Sequence, residues 1–279
     1  CSFGMGVEVV EIGDDVLDVC VRPDGRSLRD CRPACLRRGA IDCALGSATV
    51  RLGQSIFVAG VQACVTEVLP EIPTRGHVEV TVELPPLCSS LFKERNRSAA
   101  QCHFLSQTLT DVLNHTSVID TQQLDIQAGE SFWVLKVQIV CLNFDGNAFD
   151  ACMLAALAAL EDTHLPALVP GNLVPEAQGA TRLVMTTIET SSAVTRRRRL
   201  TLRSRPLPAS FVRLPNGAWA ADPCSAEEDS GGSVCLCFVS GRWLVFHQGG
   251  GASKDQFMMD LMPAARSMVA SFTELLNAE

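Results

Sequence analysis

Alternation of apolar and polar residues marks the clearest strand of the chain. Residues 77–84 alternate with period two until two prolines end the run, which is typical of a strand buried on one face. Shorter runs at 49–52 and 56–59 flank a turn that contains Gly53, and residues 131–143 form a long apolar run. The pattern therefore predicts several strands of one sheet.

Apolar residues at helical spacing predict three helices. The first is expected to open at Ser98, with Gln101 three residues later as in a capping box. The second spans 148–160, after a turn of Asp, Gly and Asn. The third is a long helix near the C-terminus, which Pro263 should kink or delay because proline removes one backbone donor.

The order of these elements predicts an α+β fold of two tandem halves, because strands, helix, strand and helix are followed by strands and a long helix. We assign residues 1–21 to an N-terminal arm, 22–164 to the first half, 165–180 to a connector rich in Pro and Gly, and 181–279 to the second half. Because the chain begins at Cys1 without a methionine, we expect it to be trimmed.

Composition favours a folded protein outside membranes. The 279 residues are 47% hydrophobic and 19% charged, which suits one large domain or two fused halves. No apolar run is long enough for a membrane helix and the N-terminus lacks a signal-peptide pattern, so we expect an intracellular protein without a membrane partner. The thirteen cysteines lack zinc-site spacing, so core thiols are expected, with no metal and no cofactor.

The formal net charge of −8 disfavours strong RNA binding by the chain alone, because phosphate contacts require local Lys and Arg. Two segments are nevertheless locally basic. The stronger one contains Arg196, Arg197, Arg198, Arg199, Arg203 and Arg205, and the weaker one contains Lys93, Arg95 and Arg97. Each is either a solvated face or a nucleic-acid contact, and the sequence leaves both interpretations open.

Four motifs resemble those of RNase PH-like proteins. They are Arg22 to Arg26 (RPDGR), Gly46 to Gly53 (GSATVRLG), Leu84 to Ser90 (LPPLCSS) and Asp145 to Ala151 (DGNAFDA). The resemblance extends from about residue 20 to the last helix. It implies the RNase PH-like (ribosomal protein S5 domain 2-like) fold of tandem βαβα halves with a long C-terminal helix. Family members form a six-membered ring with RNA in a central channel, and active members use phosphate to release nucleoside diphosphates.

The resemblance also implies which residues form the site. Active members hold phosphate at a helix N-terminus, on a loop that carries hydroxyls and an arginine. The equivalent loop here has Asn147, Phe149 and Asp150: its hydroxyls are gone, Phe149 replaces the arginine, and Asp150 stands where phosphate would be held. Like charges ~4 Å apart at an effective dielectric of ~20 cost about 4 kcal/mol, so we expect Asp150 to exclude phosphate.

Two further requirements of the active members are missing by the same resemblance. The arginines that grip RNA correspond to Gln107 and Thr110, and neither is a cation. The catalytic aspartate corresponds to Cys235, and no carboxylate lies between Ser230 and His247 to replace it. A thiol in an apolar strand cannot serve as a general base, so the resemblance predicts that the chain is not an enzyme.

The leading hypothesis is a catalytically inactive structural subunit of the eukaryotic RNA exosome core ring. It would support 3′-to-5′ RNA processing and degradation, including rRNA maturation, by scaffolding the RNA channel and docking nuclease subunits. The implied partners are other RNase PH-like subunits, S1/KH-type cap subunits and RNA in the assembled channel. The implied locations are the nucleus, including the nucleolus, and the cytoplasm.

Two alternatives remain. The first is a phosphorolytic exoribonuclease subunit that contributes to a composite active site with a partner. The second is a free-standing RNA-binding module, which is disfavoured by the net charge and by a composition of 12 Phe, 3 Trp and no Tyr for stacking bases.

Overall fold

The computed structural model describes residues 22–67, 76–127, 131–166, 197–228, 232–248 and 254–278. The predicted N-terminal arm and residues 167–180 of the predicted connector lie outside these residues, as does Arg196.

The first half contains a six-stranded sheet. Its strands are β1 (Ala34–Arg38), β2 (Gly46–Leu52), β3 (Ser55–Glu67), β4 (His77–Glu83), β5 (Asp125–Gln127) and β6 (Ser131–Asn143). They are ordered β1-β2-β3-β6-β4, with β5 also paired to β6. All neighbours are antiparallel except β4 and β6, which run parallel. The four predicted strand segments coincide with β2, β3, β4 and β6, so these predictions are confirmed.

Helix α1 (Arg95–His115) covers the free edge of β4. Three polar side chains, spaced four residues apart on α1, accept hydrogen bonds from alternate backbone amides of the strand. The pairs are Ser106 Oγ with Val82 N (2.8 Å), Thr110 Oγ1 with Val80 N (3.0 Å) and Asn114 Oδ1 with Val78 N (3.0 Å). An edge strand otherwise exposes unpaired amides, so the helix completes the sheet on this side.

The start of α1 differs from the sequence prediction. The helix begins at Arg95, with Glu94 as its N-cap, so the predicted capping box at Ser98 is wrong. The hydroxyl of Ser98 instead donates to the carbonyl of Leu84 at 2.9 Å. Because that carbonyl lies just beyond the end of β4, Ser98 ties the helix to the strand rather than capping the helix.

The second half contains a four-stranded antiparallel sheet. Its strands are β9 (Leu207–Arg213), β10 (Trp219–Ala221), β11 (Ser233–Val239) and β12 (Arg242–Gln248), in the order β10-β9-β11-β12. The short helix α3 (Ser225–Glu228) follows β10, and α4 (Lys254–Asn277) ends the half. A two-stranded ribbon of β7 (His164–Pro166) and β8 (Arg197–Arg199) lies between the halves in sequence.

Helix α2 (Ala148–Glu161) lies at the centre of the molecule. All fourteen of its residues are buried, because it contacts β2 and β3 of the first sheet, β9 of the second sheet, and α4. One hydrophobic core includes residues from both halves. The helix predicted over 148–160 is confirmed and is longer by one residue.

Helix α4 includes Pro263 in its interior. The helix already begins at Lys254, so the proline does not delay its start. Within the described ranges, no helix has the length and apolar character needed to cross a membrane.

Candidate functional site

The turn between β6 and α2 forms the centre of the candidate site. Asn147 has a left-handed backbone (φ 53°) and caps α2, and its side chain accepts a hydrogen bond from the amide of Asp150 at 3.4 Å. The amide of Asn147 donates to Oε1 of Glu228 at 2.7 Å. A carboxylate of this chain therefore occupies a backbone donor at a helix N-terminus, a position that favours anions.

Gly146 allows the turn to touch the beginning of α3. Its φ is +78°, a conformation that residues with a Cβ rarely adopt. A Cβ at this position would lie 2.5 Å from the carbonyl carbon of Cys224 and 2.6 Å from the amide nitrogen of Ser225. The close backbone approach brings Glu228, at the end of α3, within reach of the turn.

Asp150 is fully buried and faces β9. Its Oδ1 accepts a hydrogen bond from the hydroxyl of Ser210 at 2.6 Å, and its Oδ2 accepts one from the Ser210 amide at 3.2 Å and one from Asn147 Nδ2 at 2.9 Å. Burial raises the pKa of Asp150 to about 7, although the hydrogen bonds from Ser210 and Asn147 act in the opposite direction. Asp150 therefore joins α2 to the second sheet.

The contacts of Asp150 differ from those expected from the sequence. We expected its carboxylate to stand in the place of phosphate. Instead it points to Ser210, and the carboxylate at the amide of the turn belongs to Glu228. The difference arises because Asp150 faces β9, where Ser210 offers its amide and its hydroxyl as hydrogen-bond donors.

Two buried arginine–carboxylate pairs hold the surrounding segments together. Arg22 binds both carboxylate oxygens of Glu227, at 2.8 and 2.6 Å, and Arg32 binds both oxygens of Asp222, at 2.9 and 2.8 Å. Asn147 Nδ2 also donates to Asp222 Oδ1 at 2.7 Å. Burial alone would raise the pKa of Asp222, but the hydrogen bonds and charge of Arg32 outweigh it and hold that pKa below its usual value.

These two pairs were only partly visible in the sequence. The RPDGR motif at residues 22–26 was recognised only as part of the resemblance, although its first arginine is the partner of Glu227. Arg32, Asp222 and Ser210 belong to no motif that sequence reasoning recognised. Each pair joins residues far apart along the chain, so spacing could not have revealed them.

A cavity of about 320 Å³ lies beside the turn. Its described lining comes from α1, the start of α2, β9, β11 and the segments around α3. The residues are Gln101, Phe104, Leu105, Asn147, Ala148, Phe149, Ser210, Phe211, Val212, Pro223, Glu228, Ser233 and Cys235. Glu228 is the one charged residue in this set, so the described lining offers no Lys, Arg or His to a phosphate group.

Cys235 and Phe149, two positions that the resemblance assigned to the site, both line this cavity. The hydroxyl of Ser210 lies 3.6 Å from Cys235 Sγ. Burial raises the pKa of the Cys235 thiol to about 12, so the thiol is neutral at pH 7. A neutral thiol supplies neither a general base nor the negative charge that a carboxylate would give a metal ion.

The two α1 positions assigned to the RNA grip do not line the cavity. Gln107 is exposed, and Thr110 binds the edge of β4. The cavity is instead lined by Gln101, Phe104 and Leu105, which sequence reasoning missed. Their spacing of three and four residues places them on one face of α1, and this periodicity is the signal that could have identified them.

The two basic segments that the sequence singled out lie on different elements, one including β8 and the other including the first turn of α1. Arg197, Arg198 and Arg199 form β8 and are exposed. Arg198 donates to the carbonyl of Gln123, and Nε of Arg199 donates to the carbonyl of Glu161 at 3.1 Å. Arg95 and Arg97 lie in the first turn of α1, but their side chains are outside the described part of the structure.

Two α+β halves that enclose one central helix, with a cavity at the N-terminus of that helix, define an RNase PH-like fold. Residues 30–166 match the sequence model of the 3′ exoribonuclease family, domain 1. The resemblance inferred from the four motifs is thereby confirmed.

Two curated proteins that are similar to this chain are both exosome components. The chain is 38% identical over 154 residues to the exosome complex component rrp43 of Schizosaccharomyces pombe, covering 55% of this chain and 57% of the relative. It is 38% identical over 145 residues to the exosome complex component Rrp42 of Methanopyrus kandleri, covering 52% and 54%. The chain therefore spans little more than half the length of these curated relatives. Its motifs at 84–90 and 145–160 look most like those of ribosomal RNA-processing protein 43, in agreement with the first relative.

A solved structure supports the fold over most of the chain. The Archaeoglobus fulgidus exosome with RNA bound to the active site contains a chain that is 25% identical, with a TM-score of 0.70 and coverage of 91% of both chains. The likeness extends well beyond residues 30–166, so the second half also follows this architecture.

Proposed function

We propose that the chain is a structural subunit of an exosome core ring and has no phosphorolytic activity of its own. The exosome relatives and the exosome structure support the ring assignment. Other RNase PH-like subunits, cap subunits of the S1/KH type and RNA in the channel are the proposed partners. The proposed role is to scaffold the channel and dock nuclease subunits during RNA processing and turnover.

The observation that carries the proposed inactivity is the chemistry of the cavity. Phosphorolysis requires an anionic nucleophile to be held against an anionic RNA end, which needs cationic or backbone donors. The described lining has one charged group, the Glu228 carboxylate, and it already accepts a hydrogen bond from the Asn147 amide. A phosphate ~4 Å from that carboxylate would be disfavoured by about 4 kcal/mol at an effective dielectric of ~20, roughly a thousandfold in affinity.

A phosphorolysis assay tests this inactivity. The purified chain is incubated with single-stranded RNA and inorganic phosphate, and nucleoside diphosphates are measured beside an active RNase PH-like enzyme. We expect no release from the wild-type chain. We also expect none from Cys235→Asp, because this variant restores a carboxylate but leaves the cavity without a cation. Phosphate-dependent release by a clean wild-type preparation would overturn the proposal.

Native mass spectrometry tests the assembly. A tagged chain is expressed with candidate RNase PH-like and cap subunits, and the intact complexes are weighed. We expect a hetero-oligomeric ring that contains one copy of this chain, with cap subunits attached. A stable homohexamer of this chain alone would instead indicate a different type of assembly.

A composite active site is the second candidate function. Phe104, on the rim of the cavity, is 41% exposed, and an exposed aromatic ring could support RNA held by a partner subunit. Phe104→Ala is then expected to lower the phosphorolytic rate of an active partner in the assembled ring. An unchanged rate, with assembly intact, would favour the purely structural role.

We also propose that the chain is located in the nucleus, including the nucleolus, and in the cytoplasm, as the proposed role in rRNA maturation and RNA turnover requires. Fluorescence microscopy of the tagged chain in cells tests this location, and confinement to any other compartment would contradict it.

A further inference from the structure

An exposed basic surface lies on β8 and on the segment that connects β8 to β9. Its arginines are all exposed, and none of them lines the cavity: Arg197, Arg198, Arg199, Arg203 and Arg205. We call these five residues the basic ribbon. The formal net charge of the chain is −8, so this cluster of positive charges is opposite in sign to the chain as a whole.

The backbone of the basic ribbon is fixed to the body of the protein. Leu200 N donates to the carbonyl of Thr163 at 2.9 Å, and Arg203 N donates to the carbonyl of Val118 at 2.7 Å. The hydroxyl of Ser204 donates to the carbonyl of Thr116 at 3.1 Å. The segment therefore crosses the C-terminal ends of α2 and α1 at defined points, and its arginines are displayed on a rigid support.

Carboxylates neutralise little of this charge. Within the described part of the chain, Glu161 is the one carboxylate that forms an ion pair with the basic ribbon, through Arg205 at 2.6 Å. The same carboxylate also binds Arg38 at 3.0 Å, so two guanidinium groups share one negative charge. Arg198 and Arg199 donate to backbone carbonyls instead.

This arrangement leaves several guanidinium groups able to bind another anion. Arginine carries five N–H donors in a planar fork, so a group that gives one donor to a carbonyl keeps others for a ligand. Tethering to Gln123 and Glu161 also reduces the freedom that Arg198 and Arg199 would lose on binding. Arg197 and Arg203 make no side-chain hydrogen bond with described residues.

We propose that the basic ribbon binds single-stranded RNA through its phosphates. Arginine matches phosphate geometry with paired N–H donors. Residues 197–205 contain no aromatic side chain for stacking a base, so the contact is to the backbone and carries no sequence preference. The inference rests on the proposed ring function, which brings RNA to the chain, and adds a contact surface separate from the cavity.

The salt dependence of RNA binding tests the inference. The affinity of the full chain for a short single-stranded RNA is measured by fluorescence anisotropy over a salt series, for the wild type and for Arg197→Gln/Arg203→Gln. Each lost phosphate contact should make the slope of log K against log[salt] shallower by ~0.7, so about 1.4 for the double variant. The corresponding loss of affinity at ~0.1 M salt is roughly 25-fold.

A matched variant controls for net charge. Arg242→Gln/Arg266→Gln removes the same two charges from exposed positions on β12 and α4, and both of these arginines also lack side-chain hydrogen bonds to described residues. We expect this control to keep the wild-type slope and affinity. Unchanged melting temperatures would show that both variants fold.

The possible results separate the two proposals. Equal losses in both double variants, or no loss in either, would overturn RNA binding by the basic ribbon. If Arg197→Gln/Arg203→Gln binds RNA as tightly as the wild type but fails to enter the ring, RNA binding by the basic ribbon would also be overturned. The basic ribbon would then be identified as a contact with another protein subunit. Failure of the wild-type chain to join a ring contradicts the proposed function but leaves the salt measurement interpretable.

Discussion

Replacing Asp150 by asparagine should remove a pH dependence from the stability of the protein. Burial raises the pKa of Asp150 from 3.8 to about 7, so the folded state holds this proton more tightly than the unfolded state. The contribution of this group to stability is therefore lost as pH rises from ~4 to ~7. A pKa change of this size corresponds to about 4 kcal/mol, at ~1.4 kcal/mol per tenfold change in proton affinity.

Asparagine is a close structural match for the protonated carboxyl. Its oxygen can accept from the Ser210 amide and Asn147 Nδ2, as Asp150 Oδ2 does, and its NH₂ group can donate to the Ser210 hydroxyl. The variant should therefore fold with the same contacts. We expect Asp150→Asn to equal the wild type in stability near pH ~4 and to exceed it by up to about 4 kcal/mol above pH ~7.

Urea unfolding at a series of pH values measures the effect. The free energies of unfolding of the wild type and Asp150→Asn are compared at each pH, which cancels the titration of groups common to both. Asp42→Asn, at an exposed position, is the control and should follow the wild type. Parallel curves for the wild type and Asp150→Asn between pH ~4 and ~7 would refute the reasoning.

Three further substitutions test the site and the fold by urea unfolding. Arg22→Ala should cost about 3 to 5 kcal/mol, because it leaves the buried Glu227 carboxylate without its partner; a loss below ~1 kcal/mol would contradict this. Gly146→Ala should cost clearly more than Gly25→Ala, because both glycines have a φ of +78° but only Gly146 has backbone atoms within 4 Å of a new Cβ; equal costs of about 1 to 2 kcal/mol would show that conformation alone matters. Thr110→Val should cost about 1 to 3 kcal/mol and speed hydrogen exchange at the Val80 amide, whereas unchanged exchange would argue against the bond between them.

Local patterns predicted the elements that are governed by local chemistry. Alternation located β4, and the turn residues before Ala148 located the beginning of α2. The predicted start of α1 was wrong, because the hydroxyl of Ser98 donates to the carbonyl of Leu84, just beyond β4, instead of accepting from an amide of its own helix. Such a choice depends on what lies opposite the side chain, and the sequence does not contain that information.

The resemblance to RNase PH-like proteins identified some residues of the site, whereas the side-chain contacts within the site could not be read from the sequence. Phe149 and Cys235, which the resemblance assigned to the site, both line the cavity. The role of Glu228 was missed, since its partner, the Asn147 amide, lies 81 positions away in sequence. Similarly, the resemblance identified Thr110 only as a position that lacks an RNA-gripping arginine, and it did not show that the Thr110 hydroxyl binds the amide of Val80.

The central position of α2 has a consequence for how the chain can be divided. The family match ends at residue 166, which suggests a natural place to truncate. Yet a protein ending there would lack β9 and α4, and the side of α2 that they cover would face water with its alanines, leucines and Asp150. Such a fragment would lose the partner of its own buried carboxylate and would tend to aggregate. The limit of sequence similarity is therefore not a limit of independent folding, because the first half requires β9 and α4 of the second half to cover α2.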